Sequence, residues 1–175
     1  EIYTMSVSQI RQNFHEETEN GINKQINKEL YASYIYSAIG NYFDRDDVAL
    51  KGVRHYFLKA SEEEREHAQK LMKYQNKRGG TIVLEDIKAP GKQRWQTVQE
   101  AFQDALNLEK DVNQSLLDLH QLASSKNDAA FCDFLESEFL QEQVESIKSI
   151  GDYLTNIRRV GEGLGIFIFD KELSS

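Results

Sequence analysis

At 175 residues the chain is long enough for one well-filled core and short of the usual size for two domains. One proline and ten glycines leave room for long uninterrupted helices. Acids outnumber bases 29 to 21, and the formal charge of −8 argues against a nucleic-acid binder, which needs clustered Lys and Arg on one face, while it suits either cation handling or simply a solvated surface.

In chain order, Glu1-Ile2-Tyr3-Thr4 precedes Met5, from which the text reads like a natural start; residues 1–4 read as a cloning remnant and 5–175 as a single domain. No basic-then-apolar leader and no run of ~18 apolar residues occurs, and the lone Cys132 rules out an intramolecular disulfide framework. A cytoplasmic protein without a membrane span is expected.

From roughly Gln12 to Ile39 the positions Ile22, Ile26, Glu29, Ser33 and Tyr36 advance by 4, 3, 4 and 3, the period of one helical face. Gly40 and the polar turn Asp44-Arg45-Asp46-Asp47 are expected to end this helix and cap the next. The second helix carries Val53, Phe57, Ala60, Glu64, His67, Leu71 and Tyr74, closed by Gly79-Gly80. A stretch from about Thr81 to Gly91 has no helical period, holds Pro90, and is long enough to run the length of a bundle.

The third helix shows Val98, Phe102, Ala105, Glu109, Val112, Leu116, Leu119 and Ala123. Asn113-Gln114-Ser115 fits a glycosylation pattern but lies in this helical stretch and is set aside. After a turn at Ser124–Asp128, the fourth helix shows Leu140, Gln143, Ile147, Ile150, Leu154 and Ile157, until Gly161-Glu162-Gly163 breaks it. The tail Leu164–Phe169 is too apolar to lie free; it reads as a short fifth helix buried in a subunit contact, with a flap over its own bundle as the alternative. Helices of roughly 28–30 residues are about 40–45 Å long. Together they specify an all-α four-helix bundle in which one long crossover makes helices 2 and 3 parallel.

Polar residues interrupt the seams. Glu29, Glu64, His67 and Glu109 occupy core positions on three helices, Gln143 does so on the fourth, and Tyr36 shares the first seam. Unpaired buried carboxylates are costly and escape by staying neutral or binding a cation. Glu64-Arg65-Glu66-His67 is also a Glu-x-x-His, which sets a carboxylate beside an imidazole on one helical face. Alone it is as easily a surface match, and the remaining alternative is a buried salt-bridge network. No Lys or Arg sits on these seams to form one. Oxygen ligands with one imidazole point to a pair of irons in the bundle core.

The segments Ile26-Asn27-Lys28-Glu29-Leu30-Tyr31-Ala32-Ser33-Tyr34, Asn41-Tyr42-Phe43-Asp44-Arg45-Asp46-Asp47-Val48-Ala49-Leu50, Glu63-Glu64-Arg65-Glu66-His67-Ala68, Asn113-Gln114-Ser115-Leu116-Leu117 and Phe169-Asp170-Lys171 resemble animal ferritins. The similarity covers nearly the whole chain after Met5. It implies the ferritin-like fold and a heavy-chain, ferroxidase type of subunit. By that resemblance Glu29, Glu64 and His67 hold a first iron, Glu64 bridges to a second bound by Glu109 with Gln143 nearby, and Tyr36 hydrogen-bonds within the site. Light-chain types lack several of these residues. Bacterial relatives often carry a second Glu-x-x-His, whereas here Val112 follows Glu109 at that spacing. The implied activity is oxidation of Fe(II) by O₂, with iron a substrate as much as a cofactor. The implied assembly is a hollow shell of 24 subunits, alone or mixed with other ferritin subunits.

Asp133 and Glu136, with His120 and Cys132 nearby, read from sequence alone as first-turn acids that favour the helix dipole; the resemblance implies a threefold cation pore instead. Glu62, Glu63 and Glu66 read as a solvated face, while the resemblance makes them inner-surface acids for transit or nucleation, weakened by Lys59. Glu138 stands where vertebrate heavy chains tend to carry His. An oxygenase acting on an organic substrate, a non-catalytic shell subunit and a metal-free helical adaptor are the competing readings.

Overall fold

The first helix opens on His15, whose Nδ1 accepts a hydrogen bond from the Glu17 N–H at 3.1 Å, and α1 runs Glu16–Phe43. The computed structural model describes residues 8–174, so the reading of residues 1–4 as a cloning remnant lies outside the described residues. Gly40 does not end the helix as its composition predicts. It lies buried inside α1, where an added Cβ would meet the Leu58 side chain at 2.8 Å; its smallness serves close packing on the second helix. The Ser33 and Ser61 hydroxyls strengthen that approach, each donating to the other residue's backbone carbonyl at 2.7 Å.

The second helix, α2, runs Lys51–Lys77 from Leu50, which makes no side-chain cap; Asp44–Asp47 therefore do not cap it. The cap comes from 117 residues away, where the buried Asp170 carboxylate accepts from the Val53 N–H at 2.9 Å. A carboxylate at a helix N-terminus satisfies an orphan donor and complements the dipole.

Beyond Gly79, at φ +81°, the chain climbs back along α1. Asn23 and Asn27 on α1 donate to the carbonyls of Thr81 and Asp86, and the crossover ends with Trp95 buried beside Tyr42 near the far end of α1. The third helix, α3, runs Val98–Ser125 from Thr97, whose hydroxyl accepts from the Glu100 N–H. Since α2 and α3 both start at the Phe43 end, they run parallel, as the long link requires.

The fourth rod comprises α4, Ala129–Leu135, a π-helical turn at Glu136–Leu140, and α5, Gln141–Val160. Phe131, Leu135, Phe139 and Gln143 are buried at every fourth position. On an α-helix each such step advances about 40°, so this stripe would drift off the core; the wider π turn cancels the drift. Phe139 is thus the core residue where the spacing predicts Leu140, which is only partly buried. The chain closes with α6, Leu164–Leu173, which packs on α2 and α5 and buries Ile166 and Phe169. It is a helix lying over its own bundle, while Leu164, Phe167 and Ile168 face outward, each more than half exposed.

Within the bundle, α1 packs chiefly on α2 and α3 on α5. The buried apolar residues fall into two clusters, one around Phe43, Phe57, Phe102, Ile150 and Phe169, the other around Ile22, Ile26, Leu71, Leu116 and Phe131. Between them lies a polar band to which each of the four rods contributes.

The α6–α2 contact should be intolerant of added bulk, since a Cβ on Gly52 would sit 1.8 Å from the Asp170 carbonyl oxygen. Asp170→Ala should cost about 1 kcal/mol, which lowers the melting temperature by about 2–4 °C. Gly52→Ala should lower it further, because α6 must move; thermal unfolding followed by circular dichroism measures both.

Candidate metal centre

The polar band is built from helical periodicity. Glu29 comes from α1, Glu64 and His67 from adjacent turns of one face of α2, Glu109 from α3 and Gln143 from α5; all five are buried. One carboxylate oxygen each of Glu29 and Glu64 and a ring nitrogen of His67 lie within 4.8 Å of one another, a group that could hold a metal ion. His67 Nδ1 stands 3.3 Å from Glu64 Oε2 and 4.0 Å from Glu29 Oε2. Glu29 Oε2 is buried and, among the described residues, has no hydrogen-bond partner.

Glu109 is engaged differently. The Tyr36 hydroxyl donates to its Oε1, and the Gln143 amide donates to its Oε2 at 3.0 Å and to its backbone carbonyl at 3.2 Å. The structure therefore brings the six core residues together as two adjoining groups, Glu29–Glu64–His67 and Tyr36–Glu109–Gln143.

No lysine or arginine pairs with the three buried carboxyls among the described residues. Burial, followed by the Glu64 charge, pushes Glu29 well above its ordinary value of 4.5. Burial, followed by Glu109, pushes Glu64 up to about 8. Tyr36 is raised well above 10.0 by burial and then by Glu109, so it remains a donor. Without a cation the Glu29–Glu64 pair retains a proton near neutrality, and a divalent ion entering between them would displace it.

A cleft of about 900 Å³ leads from this band to the surface. Its walls include Glu63, Glu64, Glu109, Glu142, Glu145 and Glu172, and its one lysine is Lys59. Glu63 is exposed on this path and pairs with Lys59 at 3.5 Å. Glu62 is held by Arg65 at 2.6 Å, outside the cleft lining, and Glu66 is exposed. Near the other end of the rod, His120 Nε2 lies 2.6 Å from Glu136 Oε1, and the Cys132 thiol lies 3.7 Å from the His120 carbonyl. Asp133 is exposed beside them without joining that pair, and Glu138 turns to Lys70 at 3.5 Å.

Three contributors escape the seam analysis. Glu142 places Oε2 3.3 Å from His67 Nε2, although its residue number falls off the fourth-helix stripe. The buried Gln25 and the partly buried Ser115 form a relay to Glu29. Gln25 sits one turn before Glu29 on the same face, a spacing that could have flagged it; nothing in the sequence pairs Ser115 with it.

A family model described as a ferritin-like domain matches residues 19–160. The soma ferritin of Lymnaea stagnalis is 67% identical over 171 residues, covering 98% of each chain. The middle subunit of ferritin from Aquarana catesbeiana is 58% identical over 168 residues, covering 94% of this chain and 96% of its own.

The centre makes stability depend on pH in a definite direction. With Glu64 raised from 4.5 to about 8, the folded state holds a proton that the unfolded state releases, so this contribution is fully present below pH 4.5 and lost as pH rises through about 8. Glu64→Gln keeps the neutral form at every pH. Metal-stripped Glu64→Gln should therefore melt close to the unsubstituted protein near about pH 5 and above it near about pH 9. An equal difference at both pH values would refute the assignment.

Proposed function

The chain belongs to the ferritin family of iron-storage proteins, and from that premise we propose that it is the iron-oxidising, heavy-chain type of subunit. The observation that carries this reading is a buried trio of carboxyls with one imidazole and, among the described residues, no lysine or arginine paired with them, including an oxygen of Glu29 without a hydrogen-bond partner. A storage shell that only enclosed mineral would have no use for such a destabilising cluster in its core.

In this reading Fe(II) enters as substrate. Glu29 Oε2, Glu64 and His67 take the first ion. Glu64 is shared with a second ion, bound by Glu109 once that carboxylate is released from part of its contact with Tyr36 and Gln143. Each Fe(II) gives up one electron, and O₂ takes both electrons with two protons to give hydrogen peroxide. The protein holds the two ions at fixed oxygen and nitrogen donors, keeps Tyr36 protonated as a donor to Glu109, and screens the reaction behind the two apolar clusters. Gln143 in place of a further carboxylate leaves the ferric product less tightly held, so iron passes through.

The acid-lined cleft is the exit for ferric product, with Glu63 and Glu142 on its walls. Its carboxylates suit a cation. Lys59 paired with Glu63 makes nucleation at this mouth weaker. Assembly into a hollow shell would cover the outward Leu164, Phe167 and Ile168 of α6 and bring His120, Cys132, Asp133 and Glu136 of neighbouring subunits around an entry pore. Among the described residues no helix is long and apolar enough to cross a membrane; the cytoplasm is the proposed location.

Anaerobic loading with two Fe(II) per subunit followed by O₂ tests the reading. Fast saturable formation of ferric absorbance is expected. It should fall to the rate of Fe(II) in buffer in a Glu64→Ala/His67→Ala variant that still assembles, as judged by size-exclusion chromatography. Undiminished oxidation in that variant would sink the proposal.

A further inference from the structure

Glu29 is approached from the side away from the other ligands by a relay that crosses two helices. Gln25, one turn earlier on α1 and only 2% exposed, donates its amide Nε2–H to Glu29 Oε1 at 2.7 Å. The Ser115 hydroxyl on α3 meets Gln25 Oε1 in turn. The polarity of this chain is dictated by its end. When Glu29 holds a cation it is a carboxylate, which accepts and cannot donate, so the amide turns its nitrogen to Glu29 and its oxygen to Ser115, and the hydroxyl then donates.

The consequence falls on the other oxygen. A terminal carboxylate torsion is broad and roughly two-fold, so packing alone would let Glu29 present either oxygen at a range of angles. With Oε1 tied to Gln25, Oε2 is left as the buried atom without a hydrogen-bond partner among the described residues, in the group that faces Glu64 and His67. We propose that Gln25 and Ser115 are positioning residues of the metal centre: the Ser115–Gln25–Glu29 relay commits Glu29 to single-oxygen ligation and aims Oε2 at the first ion. This inference rests on the proposed metal centre and adds to it a residue from α1 and one from α3 that touch neither the ions nor O₂.

The relay should act on affinity. Outer partners of metal ligands typically set affinity by tenfold to a hundredfold. Co(II), which O₂ does not consume at this site, serves as the probe: its visible absorption is titrated, and the component missing from Glu64→Ala/His67→Ala is taken as the signal. Gln25→Met, close in shape but without the donor, should weaken that component by about tenfold and Ser115→Ala by about threefold, with Ser115→Thr within about twofold of the unsubstituted protein. In Fe(II) oxidation Gln25→Met and Ser115→Ala should raise KM more than they lower kcat. If Gln25→Met does not assemble, the Ser115→Ala and Ser115→Thr pair decides. Equal Co(II) affinity in Gln25→Met, Ser115→Ala and the unsubstituted protein would overturn the relay alone, as would Ser115→Thr failing like Ser115→Ala. No Co(II) component dependent on Glu64 and His67 in the unsubstituted protein would overturn the centre and the relay together.

Discussion

Everything in this fold is arranged around the desolvation of three carboxyl groups. Glu29, Glu64 and Glu109 lie between two apolar clusters, at a depth where an ionised carboxylate without a partner is strongly disfavoured. The bundle tolerates them by three devices: protons held on the Glu29–Glu64 pair, donors from Tyr36 and Gln143 on Glu109, and the Gln25 amide on Glu29. Each leaves negative charge only partly compensated, which is the condition under which a small divalent cation binds well.

Holding such a band in register requires all four rods to keep their phase over a long distance. Three of them do so with the ordinary 3.6-residue period. The fourth must turn Phe131, Leu135 and Phe139 inward at one end, and Ile150, Leu154 and Ile157 inward at the other. It manages this with a π-helical turn that ends at Leu140, just ahead of the turn that carries Gln143, and π turns recur at functional sites. The tail contributes at the opposite end, where Asp170 supplies the cap that α2 lacks and Phe169 joins the apolar cluster around Phe43 and Phe57. Local signals for that cap are missing from the residues before α2 because the donor is satisfied from far along the chain.

The third helix was legible almost residue for residue: every apolar position of its spacing is buried, with Glu109 among them. The first and second were legible in their buried polar residues and in the turn at Asp44 and the Gly79-Gly80 stop, but not at Gly40 or in the cap of α2. Gly40, a helix breaker by intrinsic propensity, is retained inside α1 because Leu58 fills the space that a side chain would need. Tertiary packing overrides propensity there. The early part of the fourth rod was illegible to a 3.6-residue template, since its buried residues recur every fourth position.

What the amino-acid order determines by itself is the set of polar residues that must face inward. Periodicity places Glu29, Glu64, His67, Glu109 and Gln143 on seams, and a seam has only one place to go in a bundle. What the tertiary structure alone decides is how they are shared out. It sets Glu109 against Tyr36 and Gln143 instead of within reach of Glu29, brings Glu142 to the far side of His67, and threads Ser115 through Gln25 to one oxygen of Glu29. Those choices depend on the axial stagger and rotation of one helix against another, which are fixed by the side chains packed between them and leave no periodic trace along any single helix.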